Sequence, residues 1–474
     1  MIKYGKNMAL LVALVLVALL SSCSDSPKYL DMLPDDAITL VRLDVKQMTE
    51  QSNFEKGGLK DKMLKLVAED NMPAEAKKQI EKVVKDPAEL GIDLRVPMMV
   101  SVTADQEVTL FAEMHNADKL KDFIKGLNAG NSKKLTEKDG FTYYYANRAM
   151  IAFNDDVFCF GAAESQTEQE AIDKMKDLFS GKVTKMKDRE DVQKLLASDG
   201  IAQMLIFGEA LGSLPKAKQM AEMMPKGVNM KDASFLLNLS SQKGKASLSY
   251  EVITDSKEWK DYIAKSDEMV KPIDADYLEY ISKDGFALMA NCAGEKLLNY
   301  LQDSGMLNIM DGEQENIIKP FLSSLDGNIV VGIDKIDENS AKPSFVMYAK
   351  TKNDSFSKLA NENLGTMGEI GYKDNTTYII MSNTEKPMTP TKNGFSKGDV
   401  KGSLYCYVNF DLFKPVINMS SGMDAIIIKS VYDVFSTAEL YYLGEGKCEL
   451  TVSMRDSDKY PLEKISDYIV SEMK

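Results

Sequence analysis

The chain has 474 residues with 72 acidic and 58 basic side chains, so its formal net charge is −14 at pH 7. Hydrophobic residues make up 44% and charged residues 27%, which is ordinary for a globular protein and excludes wholesale disorder or a collagen-like structure. The length allows two or three domains, and the excess of negative charge opposes contact with nucleic-acid phosphates, so no nucleic-acid partner is expected.

Residues 1–22 are predicted to be a signal peptide of the lipoprotein type. Lys3 and Lys6 make its start positive, and the apolar run Ala9 to Leu20 is shorter than the roughly 20 residues that span a bilayer. A plain secretory signal is the alternative. No later segment is apolar enough to predict a membrane-spanning helix.

A lipobox pattern, Leu20-Ser21-Ser22-Cys23, ends this segment. It resembles the processing site of bacterial lipoproteins, where cleavage between Ser22 and Cys23 leaves the cysteine thiol as the lipid attachment point. Two or more acyl chains, such as palmitate, hold a protein stably at a membrane without crossing it. Residues 23–28 then form a short tether, and Ser24 in place of an aspartate favours sorting to the outer membrane. We expect a lipid-anchored protein of the cell outer membrane, facing either the periplasm or the medium.

The remaining chain shows internal repeats of one pattern: a strand, one or more helices, two strands and a helix. Each copy opens with turn-forming residues followed by strand-forming residues. The four opening strands are Ile38–Val45 (ITLVRLDV), Ile201–Phe207 (IAQMLIF), Phe286–Cys292 (FALMANC) and Ser403–Phe410 (SLYCYVNF). The pattern therefore predicts four similar folding units in tandem.

The last helix of each unit carries large apolar residues at positions i, i+3 and i+4. The similar segments are Leu120–Ile124, Trp259–Ile263 and Ile465–Ile469, with a weaker match at Phe356–Ala360. Such a stripe is typical of a helix that packs on a sheet, so Trp259 is interpreted as a packing residue.

These units favour an α+β fold with mainly antiparallel sheets covered by helices. Copies one and two form a predicted N-terminal half at residues 29–270, and copies three and four a C-terminal half at residues 271–474. Within the second half, Thr384 to Lys397 contains Pro387 and Pro390 and is predicted to be an exposed loop.

The lipobox, the tether, the opening Leu33-Pro34-Asp35-Asp36-Ala37 and the repeated unit together resemble a known group of proteins. These are cell-envelope lipoproteins of Bacteroidales-type bacteria that are known only as a domain of unknown function. The resemblance covers nearly the whole mature chain. Because its motifs are structural turns, it implies a location and a fold and brings no catalytic residues.

Catalytic patterns fit this sequence poorly, and no enzyme is expected. The single histidine, His115, ends a strand pattern, so any Ser-His or Cys-His mechanism depends on it alone. Gly394–Gly398 (GFSKG) matches Gly-x-Ser-x-Gly, but it lies in the proline-bearing loop and follows the histidine in the chain. Ser355–Lys358 matches Ser-x-x-Lys, and a helix start with an exposed lysine is the simpler interpretation. A hydrolase without a recognisable motif is the alternative.

No cofactor and no metal site is predicted. Cys-x-x-Cys, His-x-x-x-His and phosphate-loop patterns are missing from the sequence, and Asp334, Asp337 and Glu338 are better explained by a solvated turn than by a calcium site. Four cysteines besides Cys23 lie in apolar strand patterns and are expected to behave as small hydrophobes. A disulfide between Cys406 and Cys448 stays open, since envelope compartments permit it.

Two stretches offer binding surfaces. In the strand pattern Phe141–Tyr145, Tyr143 and Tyr145 share a face and form a possible platform for a sugar or peptide, with strand packing as the other interpretation. Methionines of the second copy fit either an adaptable groove or an irregular core: Met204, Met220, Met223, Met224 and Met230.

Three functions follow from these observations. The first is a lipid-anchored, non-catalytic interaction or structural module whose partners are the membrane and an envelope protein or glycan. The second is a glycan- or peptide-binding lipoprotein that uses Tyr143 and Tyr145. The third is an envelope hydrolase.

Overall fold

The computed structural model describes residues 27–128, 134–162, 167–180, 186–211, 227–303, 312–337, 343–365, 368–381, 387–419, 429 and 432–472. The predicted lipid attachment residue Cys23 and the cleavage residue Ser22 lie outside this part of the chain. The chain forms two compact units. Unit 1 comprises Met1–Ser213, Ser234–Lys243 and Asp458–Lys474, and unit 2 comprises Leu214–Ala233 and Gly244–Ser457.

Thirteen α-helices occur within the described ranges. They are α1 Val45–Gln51, α2 Leu59–Glu69, α3 Ala74–Lys85, α4 Ala117–Leu127, α5 Glu168–Phe179, α6 Glu190–Ala197, α7 Gly208–Leu211, α8 Lys257–Met269, α9 Gly294–Asp303, α10 Gly312–Ser324, α11 Ser355–Leu364, α12 Lys414–Met419 and α13 Pro461–Glu472. None of the described helices has the length and apolar composition needed to cross a membrane.

The strands of the described chain pair in antiparallel fashion throughout. They are β1 Ala37–Leu43, β2 Ile92–Asp93, β3 Met98–Thr103, β4 Val108–Met114, β5 Thr136–Lys138, β6 Phe141–Ala146, β7 Ala149–Phe153, β8 Val157–Ala162, β9 Ala202–Phe207, β10 Ala233–Gln242, β11 Lys245–Thr254, β12 Phe286–Ala293, β13 Leu325–Ile336, β14 Pro343–Thr351, β15 Glu369–Lys373, β16 Thr376–Met381, β17 Leu404–Asn409, β18 Phe435–Gly444 and β19 Lys447–Met454. The predicted combination of antiparallel strands with helices is confirmed.

The sheet of unit 1 has the strand order β10-β9-β1-β3-β4-β8-β7-β6-β5, and β2 extends the pairing at the end of β4. Helices α1 to α4 contribute to a core that covers one end of one face. Helix α4 begins at Asn116, whose side chain accepts a hydrogen bond from the Lys119 amide at 3.1 Å. Just before it, the amides of His115 and Asn116 both donate to the Gly91 carbonyl. A Cβ at Gly91 would lie 2.2 Å from the Asn116 oxygen, so this close approach requires glycine.

The sheet of unit 2 has the order β11-β19-β18-β17-β12-β13-β14-β16-β15. One face packs against the segments 273–281 and 395–400 through a core rich in tyrosine. The opposite face packs at one end against residues of α9, α10 and α11, with Leu298, Leu322 and Phe356 buried there. Each face of this sheet therefore has its own apolar core.

Strand pairing sets the boundaries of the two units. Among the described residues, the chain passes between the units at Ala233–Ser234, Lys243–Gly244 and Ser457–Asp458. The pairings explain this, because β10 pairs with β9 of unit 1 whereas β11 pairs with β19 of unit 2.

The segment predicted to be an exposed loop is anchored to unit 2 over its described residues 387–397. Phe395 is buried, and its ring meets those of Tyr405 and Tyr407 edge-on at centroid distances of 6.2 and 5.2 Å. Its amide donates to the carbonyls of Leu278 and Ile281. The other described residues of the segment are exposed or half-buried, as expected of an exposed loop, and Phe395 is the one side chain among them that enters the core.

The apolar stripes predicted on the helices are buried in some helices and exposed in another. In α4 the stripe is buried, and Trp259 of α8 is buried with its indole nitrogen donating to the Asn229 carbonyl at 2.6 Å, which confirms packing. In α13 the prediction was wrong: Tyr468 is 65% exposed, while Ser466 is buried and its hydroxyl donates to Leu462. Helix α13 contacts α1 and α2, so a different side of it faces inward.

Candidate functional site

An apolar row crosses the sheet of unit 2 from strand to strand. Leu248 is paired with Leu450, Leu450 with Leu440, Leu440 with Cys406, and Cys406 with Leu288. Directly paired residues project from the same face of a sheet, so these five side chains form one continuous stripe, here called the unit 2 row. Leu440 is 43% exposed and Leu288 is 39% exposed, so the stripe is accessible.

The unit 2 row continues into a covered region. Leu288 is paired with Val331, Val331 with Met347, and Met347 with Ile379. Met347 and Ile379 are buried beneath residues of α9, α10 and α11. The same face of the sheet is therefore covered at one end by α9, α10 and α11, and beside the row the Tyr442 hydroxyl donates to Asp267 of α8 at 2.5 Å. Within the row itself, Leu248, Leu440 and Leu288 are exposed.

Unit 1 contains an equivalent stripe, here called the unit 1 row. Leu237 is paired with Met204, Met204 with Val41, Val41 with Val100, and Val100 with Leu110. The next residues on this face include exposed Leu239 and Val108. Met204, which the sequence placed in either a groove or a core, is exposed in this row, whereas Met220, Met223 and Met224 lie outside the described residues.

Neither row contains a charged side chain. Contiguous exposed apolar surface is uncommon on soluble domains and marks sites of interaction. Burying such surface contributes about 25 cal/mol per Å² of apolar area and has no directional chemistry. The rows are therefore suited to binding aliphatic surface.

The cysteine of the unit 2 row is a free thiol, and burial raises its pKa. The predicted alternative of a Cys406–Cys448 disulfide is excluded by strand order. Cys406 lies on β17 and Cys448 on β19, with β18 between them. Two strand spacings amount to roughly 10 Å, which exceeds the Cα separation of about 7 Å that a disulfide tolerates.

The tyrosine platform predicted on β6 is largely occupied by packing. Tyr143 is 8% exposed, and its ring lies 6.1 Å from that of Phe141. Tyr145 is partly buried on the same face. Tyr144 projects from the other face, where its hydroxyl donates to Asn128 at 2.7 Å. This placement favours the packing interpretation over ligand contact for Tyr143.

The motif residues considered for catalysis have structural partners. The Ser396 hydroxyl donates to Asp399 at 2.7 Å and closes a short turn. Lys358 pairs with Asp354 at 2.8 Å on the first turn of α11, beside an open depression of about 450 Å³. His115 lies exposed at the end of β4. The contacts of Ser396 and Lys358 are typical of the ends of turns and helices.

Asp399 also binds Lys283, with an Nζ–Oδ2 distance of 2.7 Å. The Lys283 ammonium and the Ser396 hydroxyl and amide lower the pKa of Asp399 from 3.8 to about 2. A carboxyl whose pKa is lower in the folded state stabilises it above its unfolded pKa, and that contribution disappears as the pH falls. We expect the free energy of unfolding of wild type to exceed that of Asp399→Asn at pH ~6 and the difference to shrink by pH ~2. Chemical denaturation at both pH values measures this, and a pH-independent difference would contradict it.

Metal binding finds no support in the described chain. No group of three or more histidine, cysteine, aspartate or glutamate side chains lies close enough there to hold an ion. Asp334 accepts a hydrogen bond from the Ser282 amide at 3.3 Å, and Glu338 lies outside the described residues.

Sequence reasoning did not identify the two rows. Their signal was present as apolar residues at alternate positions of β12, β17 and β18. That pattern shows that a face is apolar, but it does not show whether a helix covers it. Pairing register and helix placement were needed to find the open end.

Comparisons with known proteins give one family match. Two solved structures, titled "Structure of crystal form IV of TP0453" and "Structure of crystal form I of TP0453", each have a TM-score of 0.28. The first is 14% identical, and the match covers 48% of this chain and 81% of the chain in that structure. The second is 15% identical, and the match covers 50% of this chain and 82% of the chain in that structure. Among curated proteins there is no match. Residues 29–380 match the family described as "Domain of unknown function (DUF4836)".

Proposed function

The chain belongs to the DUF4836 family, whose description assigns no function, and we propose that it acts as a lipid-anchored, non-catalytic interaction module of the cell envelope. In this proposal Cys23 carries the lipid, the outer membrane is the location, and the protein is one of the Bacteroidales-type envelope lipoproteins. The lipobox Leu20-Ser21-Ser22-Cys23 and the short tether support the anchor.

The observation that carries the interaction role is the open unit 2 row. It crosses five strands, which at about 4.8 Å per strand gives a stripe roughly 19 Å long. This length matches about 13 residues of α-helix. Because the row has no charge and the whole chain is acidic, the partner that fits it is an envelope protein presenting an aliphatic helix face rather than a polar or anionic ligand.

The repeated organisation in two halves is also part of the proposal. Its support is strand order. In unit 1 the neighbouring strands are β10-β9-β1-β3-β4, and in unit 2 they are β18-β17-β12-β13-β14. Both runs follow one order: a hairpin strand, two opening strands and then the two strands of a hairpin. In both, the opening strands of two successive copies pair with each other, and each pairs with a hairpin of its own copy.

Glycan or peptide binding by Tyr143 and Tyr145 has less support, because Tyr143 is buried. The hydrolase alternative has less support because Ser396 and Lys358 are engaged by Asp399 and Asp354. The open row is a feature that neither alternative uses.

A photo-crosslinking experiment in cells tests the interaction role. A crosslinking amino acid at Leu440, in the row, is expected to give one defined protein adduct. The matched control is Leu443, which lies on the same strand outside the row and is 51% exposed. Adding Leu288→Asp is expected to abolish the adduct from position 440, because a desolvated carboxylate opposes burial.

Two outcomes would contradict this role: equal adducts from positions 440 and 443, or an adduct from 440 that survives Leu288→Asp. Alkylation of the Cys406 thiol gives an independent reading. Its rate should fall when the partner is bound, because the thiol lies between Leu440 and Leu288 in the row.

A further inference from the structure

The first described residues are an integral part of unit 1. The side chain of Tyr29 is 1% exposed, and its hydroxyl donates to the Pro97 carbonyl at 2.5 Å. Leu30 and Leu33 are buried as well. Residues 28–33 therefore cannot serve as a flexible spacer, since freeing them would expose these apolar side chains.

Lys28 fixes the place where the chain enters unit 1. Its amide donates to the Glu113 carboxylate at 2.7 Å, and its ammonium pairs with Asp156 at 2.5 Å. Glu113 lies near the end of β4, and the Asp156 carbonyl accepts from the Met114 amide beside it. We call this end of the sheet the Lys28 end.

The distance available to a lipid at Cys23 is short. Five residue steps separate Cys23 from Lys28, and at about 3.4 Å per step the fully extended chain spans about 17 Å. By contrast, β4 has seven residues and extends about 24 Å from the Lys28 end to the turn that contains Asp105. The tether is therefore shorter than the unit it holds.

The basic side chains named at the Lys28 end are each paired with a carboxylate. Besides Lys28 with Asp156, Arg95 pairs with Asp93 at 2.5 Å and Lys187 pairs with Asp31. The Arg95 guanidinium lowers the pKa of Asp93, so that pair stays ionised. Because Glu113 and Asp155 also lie there, this end keeps a small excess of negative charge, which a zwitterionic lipid headgroup layer such as phosphatidylcholine does not strongly repel.

We propose that the Lys28 end of unit 1 lies against the membrane surface, with the Asp105 turn directed away from it. This inference rests on the proposed lipid attachment at Cys23. The partner is a zwitterionic lipid headgroup layer, held close by the short tether.

Energy transfer to labelled lipids tests this orientation. The lipidated full chain is placed in phosphatidylcholine vesicles that contain a headgroup-labelled acceptor lipid. A donor dye is attached at Asp155→Cys or Asp105→Cys, both exposed turn positions of unit 1, in a background with Cys406→Ser and Cys448→Ser. We expect higher transfer efficiency from position 155, and loss of the difference when a long Gly-Ser linker is inserted after Ser26.

The readouts separate this inference from the proposed function. Mass spectrometry showing an unmodified Cys23, together with no vesicle binding, would overturn the lipid anchor and the orientation with it. A lipidated, vesicle-bound protein with equal transfer from both positions, or greater transfer from position 105, would overturn the orientation alone.

Discussion

Replacing Cys23 with serine is expected to move the protein from the membrane fraction to the soluble fraction. The serine variant lacks the thiol that accepts the diacyl group, and each buried methylene of an acyl chain contributes about 0.8 kcal/mol to membrane binding. The two acyl chains therefore decide whether the protein is stably attached to the membrane or not attached. Fractionation of cells after metabolic labelling with palmitate measures both location and modification.

The matched control for this variant is Cys448→Ser. Cys448 is a free, partly buried thiol on β19, and its burial raises its pKa. This control should retain both the label and the membrane location. A wild-type protein without label, or a Cys23→Ser variant that stays with the membrane, would refute the anchor.

Replacing Phe111 with alanine is expected to destabilise unit 1 by about 3–5 kcal/mol. Phe111 is 0% exposed on β4, and its ring lies 6.4 Å from that of Tyr29. The substitution removes apolar contacts and leaves a cavity between the sheet and the docked segment that follows the tether. Native-state hydrogen exchange of the β4 amides reports the loss within unit 1.

Val108→Ala on the same strand is the control for Phe111→Ala. Val108 is exposed and projects from the opposite face, near the unit 1 row. We expect its effect to stay below about 1 kcal/mol. Equal losses from the two substitutions would mean that the open face is as tightly packed as the buried one, and would argue against the rows as interaction surfaces.

The helices show how far local pattern can be trusted. The stripes of α4 and α13 look alike in sequence, with large apolar residues at i, i+3 and i+4. In α4, Leu120, Phe123 and Ile124 are buried, whereas in α13 Ile465 and Tyr468 are exposed. Helix α13 instead contacts α1 and α2, and Asn53 donates to its Glu463 at 3.2 Å. Periodicity identifies an apolar side, but the neighbouring helices decide which side is buried.

The proline-bearing segment 387–397 shows the same limit of local sequence patterns at one residue, Phe395. Pro387 and Pro390 correctly indicate a segment without regular structure. Nothing local to Phe395 indicates that its ring enters a cluster with Tyr405 and Tyr407, which follow about ten residues later on β17. Such a contact depends on where two distant backbones meet.

The sequence by itself determined the presence of antiparallel strands and amphipathic helices and the succession of the elements. It also provides the lipobox on which the proposed anchor rests. These features depend on alternation, helical periodicity and turn chemistry, which are properties of neighbouring residues. Tertiary structure alone decided the row from Leu248 to Leu288, the separation of Cys406 from Cys448 and the outward side of α13. Each of these depends on pairing register or on packing between distant elements, and a one-residue change of register would send every side chain of a row to the other face.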